Sequence, residues 1–335
     1  MTRAQDNKHA PANHIKDLIV VFILIIIFAL LMEQAVRFYL FGADSLSYHK
    51  MKSVGSMGYT GYLQESEFPD VVYEFKPRID SYFKLADFST NSQGLRDKEY
   101  TTKKHHDTFR VAVIGGSFTV PAGVEIDDAF HSILEDRLKE ENPDLNYEFI
   151  NFGVSGYRIK NKIATLKHKA LKYSPDLILF VLDGSQFTEN EEKEFKEKPV
   201  KNQFFQSFTY KLISKNKLFK NVDDGYQVFL EEHKAGLTML DQTLDELSII
   251  SKESRIPICI VVLDHDYTHL ELSEEIKNLV KKYNLYYSNT IPAFKDTDLN
   301  EMVIYQIDIH PNSRANKIFA DAIYDDLKKQ SLLNK

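Results

Sequence analysis

At 335 residues the chain is longer than one typical domain, and a hydrophobic fraction of 43% supports one good-sized core with accessory segments, which excludes global disorder. The formal charge of −7 is carried by mixed-sign runs such as Glu189 to Lys201, with no Lys- or Arg-rich stripe, and this argues against nucleic acid as a partner. The single cysteine, Cys259, lies in the apolar run Ile256 to Leu263 and reads as a buried thiol, with no intramolecular disulfide or Cys-based zinc site available.

Residues 1–17 are polar, contain Pro11, and read as a short tail. Leu18 to Met32 carries no charge and extends through Ala35, Val36 and Phe38 to Phe41, with Glu33 and Arg37 one helical turn apart. Counting that extension, the run reaches the roughly 20 residues a bilayer core requires. No small-x-small cleavage site follows closely, so residues 18–41 are expected to be an uncleaved transmembrane anchor. Arg3, Lys8 and Lys16 before it are balanced by Arg37, Lys50 and Lys52 after it, so charge does not set the orientation. Because a short tail cannot easily hold the functional part, residues 1–17 are placed in the cytoplasm and everything after about residue 42 outside it.

Residues 42–107 are rich in Tyr and Phe and punctuated by Gly55, Gly58, Gly61, Pro69, Pro77 and Gly94, which predicts a juxtamembrane segment of short strands and loops rather than helices. From residue 108 onward short β-rich runs alternate with amphipathic stretches, predicting βαβ units and a parallel sheet. The expected strands are Arg110 to Ile114, Tyr147 to Phe152, Leu177 to Leu182, Ile256 to Leu263 and a weak Leu285 to Ser288. The expected helices begin near Asp127, with Asp127 or Asp128 as cap, and continue with one carrying Ile159, Ile163 and Leu166. Others carry Leu237, Leu240, Leu244 and Leu247, run from Leu272 to Tyr283, and start at Pro311. The polar and aromatic stretch at about 184–235 breaks the rhythm and is read as an insertion, with Phe204 to Phe219 forming a lid or packed helix.

In open parallel sheets ligands bind beyond the carboxyl ends of the strands. There the sequence places Gly115-Gly116-Ser117-Phe118-Thr119, then Asn151-Phe152-Gly153-Val154-Ser155-Gly156-Tyr157, then Asp183-Gly184-Ser185-Gln186. A serine on a glycine-permitted turn stands clear of the sheet, and nearby glycines let backbone N–H groups face a developing oxyanion. Asp308 and His310, two apart in an extended segment before the last helix, project the same way, so the carboxylate can fix the imidazole tautomer. No Lys-Ser or Lys-Thr follows the glycines as in a phosphate loop, and no Gly-x-Ser-x-Gly elbow is present. His265 and His269, flanked by Asp264 and Asp266, are read as a solvated loop or cleft rim rather than a metal site.

Together these blocks resemble the SGNH/GDSL hydrolase family, specifically its bacterial membrane-anchored members, from about Asn91 to the C-terminus. The resemblance implies a three-layer α/β/α fold with a flavodoxin-like parallel sheet over 108–335. It maps the nucleophile onto Ser117, the base onto His310, its orienting carboxylate onto Asp308, and the oxyanion donors onto Ser117, Gly156 and Ser185. The stretch Asn91 to Asp97 also looks like one common in anchored members. Gly116 stands where the family usually has aspartate, Ser185 where it has asparagine with Gln186 following, and the Asp-to-His spacing is two residues rather than three. The resemblance implies no cofactor and no metal. It implies a serine esterase of O-acyl, chiefly O-acetyl, groups on envelope or exported glycans, held in the cytoplasmic membrane with its domain outside. One rival reading uses the same catalytic residues, an O-acetyltransferase supplied by an integral-membrane acyl-transfer protein; a second, motivated by Gly116 and Ser185, is an inactive glycan-binding or scaffold protein that keeps the fold.

Overall fold

The computed structural model describes residues 12–55, 57–183, 194–218 and 222–333. Helix α1 (Ala12–Phe41) is followed by α2 (Tyr48–Met51) and two antiparallel hairpins, β1 (Leu63–Glu65) with β2 (Tyr73–Phe75) and β3 (Asp80–Phe83) with β4 (Ala86–Ser89). The sheet domain then runs β5 (Thr108–Ile114), α3 (Phe130–Glu141), β6 (Asn146–Asn151), α4 (Ile159–His168) and β7 (Leu177–Asp183). It continues with α5 (Phe208–Leu218), α6 (Val222–Ser254), β8 (Ile258–Leu263), α7 (Leu270–Lys282) and β9 (Tyr286–Asn289), and closes with the hairpin β10 (Val303–Tyr305), β11 (Asp308–Pro311) and helix α8 (Ser313–Lys329).

Strands β5, β7 and β8 are buried along their whole length, as apolar runs covered on both faces must be. They form the centre of a five-stranded, all-parallel sheet in the order β6-β5-β7-β8-β9. Alternate side chains divide the core. Val111, Val113, Leu179 and Val181 meet Phe130 and Leu134 of α3 and Phe319 and Ile323 of α8 on one face. Ala112, Ile114, Phe180 and Leu182 meet Ile163 of α4, Leu244 of α6 and Ile276 of α7 on the other. The result is the expected three-layer α/β/α arrangement. Its order reverses direction between β5 and β7, and that switch point opens a crevice at their carboxyl ends.

Neither expected cap of α3 forms. Asp127 and Asp128 lie in a preceding 3₁₀ turn, and α3 starts after Ala129 with no side-chain cap. Asp128 instead accepts a hydrogen bond from Ser313 at the start of α8 (3.0 Å), while Asn316 of α8 accepts from the Phe130 N–H (3.2 Å). The segment after α1 is also not purely strand and loop: Ser47 caps the short helix α2 by accepting from Lys50 N–H at 3.3 Å, and 3₁₀ turns occupy Gly42–Leu46 and Met57–Tyr59.

Helix α1 changes character along its length. Large apolar residues from Leu18 to Met32 are exposed, whereas Arg37, Leu40 and Phe41 are buried. Glu33 caps α5, its carboxylate accepting from the N–H groups of Phe208 (2.8 Å) and Thr209 (3.1 Å). Arg37 donates to the carbonyls of Phe204 (2.6 Å) and Gln206 (3.0 Å). Phe41 then packs between Phe208 and Tyr305. The aromatic stretch around Phe204 is therefore a packed helix seated on the end of α1.

Candidate active site

Beyond Ile114 the chain enters a turn that has room only for glycine at two positions. A Cβ on Gly115 would overlap the Thr119 side chain, and one on Gly116 would stand 2.7 Å from Asp183 Oδ2. The aspartate expected at position 116 from the family resemblance has no space, because Asp183 at the end of β7 already occupies it. Asp183 is fully buried, and burial raises its pKa; Lys162, the Coulombic influence of His310, and a hydrogen bond from Phe118 N–H act in the other direction. Lys162 is itself buried, donates to the Val181 carbonyl at 2.7 Å, and is lowered by burial to about 8.

Behind the turn lies a network of buried polar groups. Asn151 donates to the Thr119 carbonyl (3.1 Å) and accepts from Gly153 N–H (2.8 Å), tying the Ser117 turn to the loop after β6. Asp97 accepts from the Asn151 N–H at 2.9 Å. Arg96, 2% exposed, donates to the carbonyls of Val120 and Pro121 at 2.6 Å, Val124 at 2.7 Å and Asp87 at 2.9 Å. Burial lowers Arg96 to about 10 and raises Asp97 to about 7. His131 meets the Asn151 amide at 3.1 Å, and burial, helped by Arg96 and Lys98, takes it down to about 3, so it accepts as a neutral ring. The stretch Asn91 to Asp97 is thus a strap that fixes both glycine-bearing loops.

On the other side, hairpin β10–β11 presents Asp308 and His310. Their side chains meet at 2.5 Å between Oδ1 and Nδ1, and Oδ1 also accepts from the His310 N–H at 3.0 Å. Lys84 approaches from the β3–β4 hairpin, its ammonium 2.6 Å from Asp308 Oδ2. Burial alone would raise the Asp308 carboxyl, but the hydrogen bond from His310 and the Lys84 charge hold it well below the usual carboxylate range. An ionised Asp308 requires the shared proton to sit on Nδ1, which leaves Nε2 with its lone pair. Lys84 Nζ also lies 3.1 Å from Nδ1, but its hydrogen-bond acceptor is Oδ2. Lys84 and Leu85 form a two-residue hairpin turn with φ of 51° and 68°, a conformation that normally calls for Asn-Gly.

Phe118 connects the two sides, its ring 5.7 Å from the His310 ring and 5.6 Å from that of His265. Ser117 is half-buried, and its hydroxyl makes no hydrogen bond among the described residues. His265 is not part of a solvated loop: it is 5% exposed and packed among Phe118, Phe294 and Phe319, since the chain after β8 folds inward beneath α8. His269 pairs with Asp264 at 2.7 Å. Among the described residues no group of three His, Cys, Asp or Glu side chains is placed to hold a metal ion.

A cavity of about 770 Å³ opens beside the pair, with Asp308, His310 and Gly156 in its wall; Ser117 is not part of that lining. Gly156 has φ +88°, and a Cβ there would stand 2.6 Å from the Tyr73 hydroxyl, which donates to the Ser155 carbonyl at 3.2 Å. Ser185 lies outside the described residues. Lys84 escaped sequence reasoning because its turn carries no turn-forming residue. Lys211 of α5 also lines the cavity, and it escaped because the sequence gives no sign that the packed helix at 204–219 would reach the site. The pairing of Asp183 with Gly116 could have been suspected from the acidic residue ending an otherwise apolar strand.

No family model matches the sequence, and no curated protein is detectably similar to it. Among solved structures, the chain is similar to a variant of the acetyl xylan esterase Axe2 from Geobacillus stearothermophilus at 15% identity, over 68% of this chain and 97% of that one, with a TM-score of 0.45. It is similar to LAE5, an alpha/beta hydrolase enzyme from the metagenome of Lake Arreo, Spain, at 15% identity over the same shares, with a TM-score of 0.44. A two-domain esterase active on acetylated mannans matches at 14% identity over 68% of this chain and 50% of that one, with a TM-score of 0.42.

Proposed function

We propose that the chain is a membrane-anchored serine esterase that removes O-acyl, chiefly O-acetyl, groups from envelope or exported glycans. The observation that carries this reading is the Asp308–His310 pair at 2.5 Å, set in the wall of a cavity of about 770 Å³, with the His310 ring 5.7 Å from that of Phe118, the residue after Ser117. In the proposed reaction Ser117 Oγ attacks the acyl carbon as His310 Nε2 takes its proton. Asp308 holds the ring, and His310 returns the proton to the departing sugar oxygen. The N–H groups of Ser117 and Gly156, with Ser185, stabilise the oxyanion. Water then releases the acyl group from Ser117 by the same steps.

The anchor reading is supported by the end of α1. Removing the helix as a signal peptide would take away Glu33, which caps α5, and Arg37, which binds the 204–206 carbonyls. The same packing favours a second reading, transfer of the acyl group to a glycan hydroxyl, because it joins the domain directly to the helix that would meet an integral-membrane donor. Acetate release from an O-acetylated glycan by the full-length protein tests the proposal. Hydrolysis that is lost in Ser117→Ala supports the esterase, while acyl transfer that outruns hydrolysis when a glycan acceptor is added supports the second reading. Undiminished acetate release by Ser117→Ala would refute both.

A further inference from the structure

The charge of the cavity is not what a neutral sugar chain requires. Lys84 and Lys211 line it on either side of one carboxylate, Asp308, and Arg158 and Lys198 add to its basic wall. Lysine and arginine are donors only, so they cannot answer the donor half of a sugar hydroxyl. Asp308 is already committed, one oxygen to His310 and the other to Lys84.

Lys211 makes the case sharper. It projects from α5, half-buried, with its ammonium 5.0 Å above the Phe208 ring and no carboxylate within ion-pairing distance among the described residues. Burial lowers its pKa, the Asp308 carboxylate draws it in the other direction, and the Lys84 charge adds to the lowering. Lys84 and Lys211 thus have one carboxylate between them at the cavity wall, and a second anion there lowers the cost of holding a half-desolvated ammonium beside another. Helix α5 is held in this position by the Glu33 cap and by Phe208, which is buried against Phe41, so Lys211 cannot swing away with a loose loop.

We infer that this cavity binds an anionic glycan, with a carboxylate on the sugar ring seated between Lys84 and Lys211 while the acyl ester faces His310. This rests on the proposed esterase reading for the presence of an ester, and on the cavity alone for the charge. A ring carboxylate is preferred to a bulkier anion because Lys84 is buried, so little of its ammonium is open to the cavity. The basic pair orients an O-acylated uronate through its free carboxylate and leaves an O-acylated neutral sugar unanchored.

Binding of oligogalacturonate to the detergent-solubilised full chain carrying Ser117→Ala, measured by calorimetry beside a neutral xylo-oligosaccharide of equal length, tests this. The acidic oligomer is expected to bind at least about tenfold more tightly, and to weaken by about tenfold between roughly 50 and 300 mM salt. Lys211→Met should remove about tenfold of that affinity, and Lys211→Arg should restore most of it, with the melting temperature of each variant checking the fold. Equal binding of the two oligomers, no binding of either, or full affinity in a folded Lys211→Met protein would overturn the inference, and tighter binding of a glycerol-phosphate polymer would overturn the choice of carboxylate. Failure of the esterase reading shows elsewhere, in the absence of acetate release by the unmodified chain.

Discussion

Charged residues surround the Ser117 turn on two sides, and the two sides are built to different ends. Behind the turn, Arg96, Asn151 and His131 are buried and, with the half-buried Asp97, bond to backbone groups or to one another, Arg96 through both terminal nitrogens while its Nε has no partner among the described residues. Facing the cavity, Lys84 and His310 share the Asp308 carboxylate, and Lys211 stands over the Phe208 ring with no ion pair among the described residues. A densely bonded buried network fixes geometry, because movement breaks several hydrogen bonds at once. An incompletely answered one stores capacity for a ligand or a proton. Losses behind the turn should therefore appear as stability, and losses facing the cavity as activity or binding.

The largest effect expected is on the cavity side. Ser117→Ala or His310→Ala should lower turnover of a small acetyl ester by about 10³-fold or more with little change in melting temperature, since members of one nucleophilic unit fail together. Asp308→Asn should cost less but still a large factor. Comparable losses of stability in these variants would erase the distinction between the two sides.

Arg96→Met is the converse probe. It leaves four carbonyls without their donor, and chemical denaturation should show a loss of about 3 kcal/mol or more. An unchanged unfolding midpoint would mean the strap from Asn91 to Asp97 does not brace the turn.

Next comes pH. His131 has a folded pKa near 3 against an ordinary 6.5, so its contribution is fully present above about 6.5 and is lost as pH falls toward about 3. Asp97 runs the opposite way: raised from 3.8 to about 7, it favours the folded state at low pH, and that contribution is lost as pH rises through about 7. The two slopes oppose each other over the shared window, giving a shallow profile. His131→Gln, which keeps an acceptor for Asn151, should remove about 3 kcal/mol of acid destabilisation between about pH 6.5 and 4 and leave stability falling as pH rises. Urea unfolding from about pH 4 to 7 measures this; a profile identical to that of the unmodified protein would place the acid sensitivity elsewhere.

The smallest effect expected is at Lys84. Lys84→Asn suits the positive φ of the hairpin while removing the ammonium from Asp308, and should lower kcat by about tenfold without unfolding the hairpin. A change confined to KM would make Lys84 a substrate contact alone.

The sheet was legible because its strands are continuous apolar runs between amphipathic helices, a pattern that short-range physics dictates. Ser117, Asp308 and His310 could be nominated because each sits at a strand end or in a short extended motif. The strap residues Arg96 and Asp97 stood in a stretch noted only by resemblance, since nothing local says that a guanidinium will reach carbonyls at 120–124. Lys84 and Lys211 were illegible for a related reason. The rest of the cavity they line lies far away in the chain, and the hairpin turn that lifts Lys84 toward Asp308 uses Lys-Leu where local rules ask for Asn-Gly. Position 116 shows how such distance misleads: its glycine looked like a missing carboxylate, yet the space is filled by Asp183 from the next strand of the sheet.

The central claim is that Ser117 is an activated nucleophile, and covalent labelling tests it most directly. Full-length protein treated with a fluorophosphonate and digested for mass spectrometry should carry one adduct, on the peptide containing Ser117, and His310→Ala should slow its formation by at least about a hundredfold. No adduct, or one that forms on Ser117 at the same rate without His310, would contradict the account.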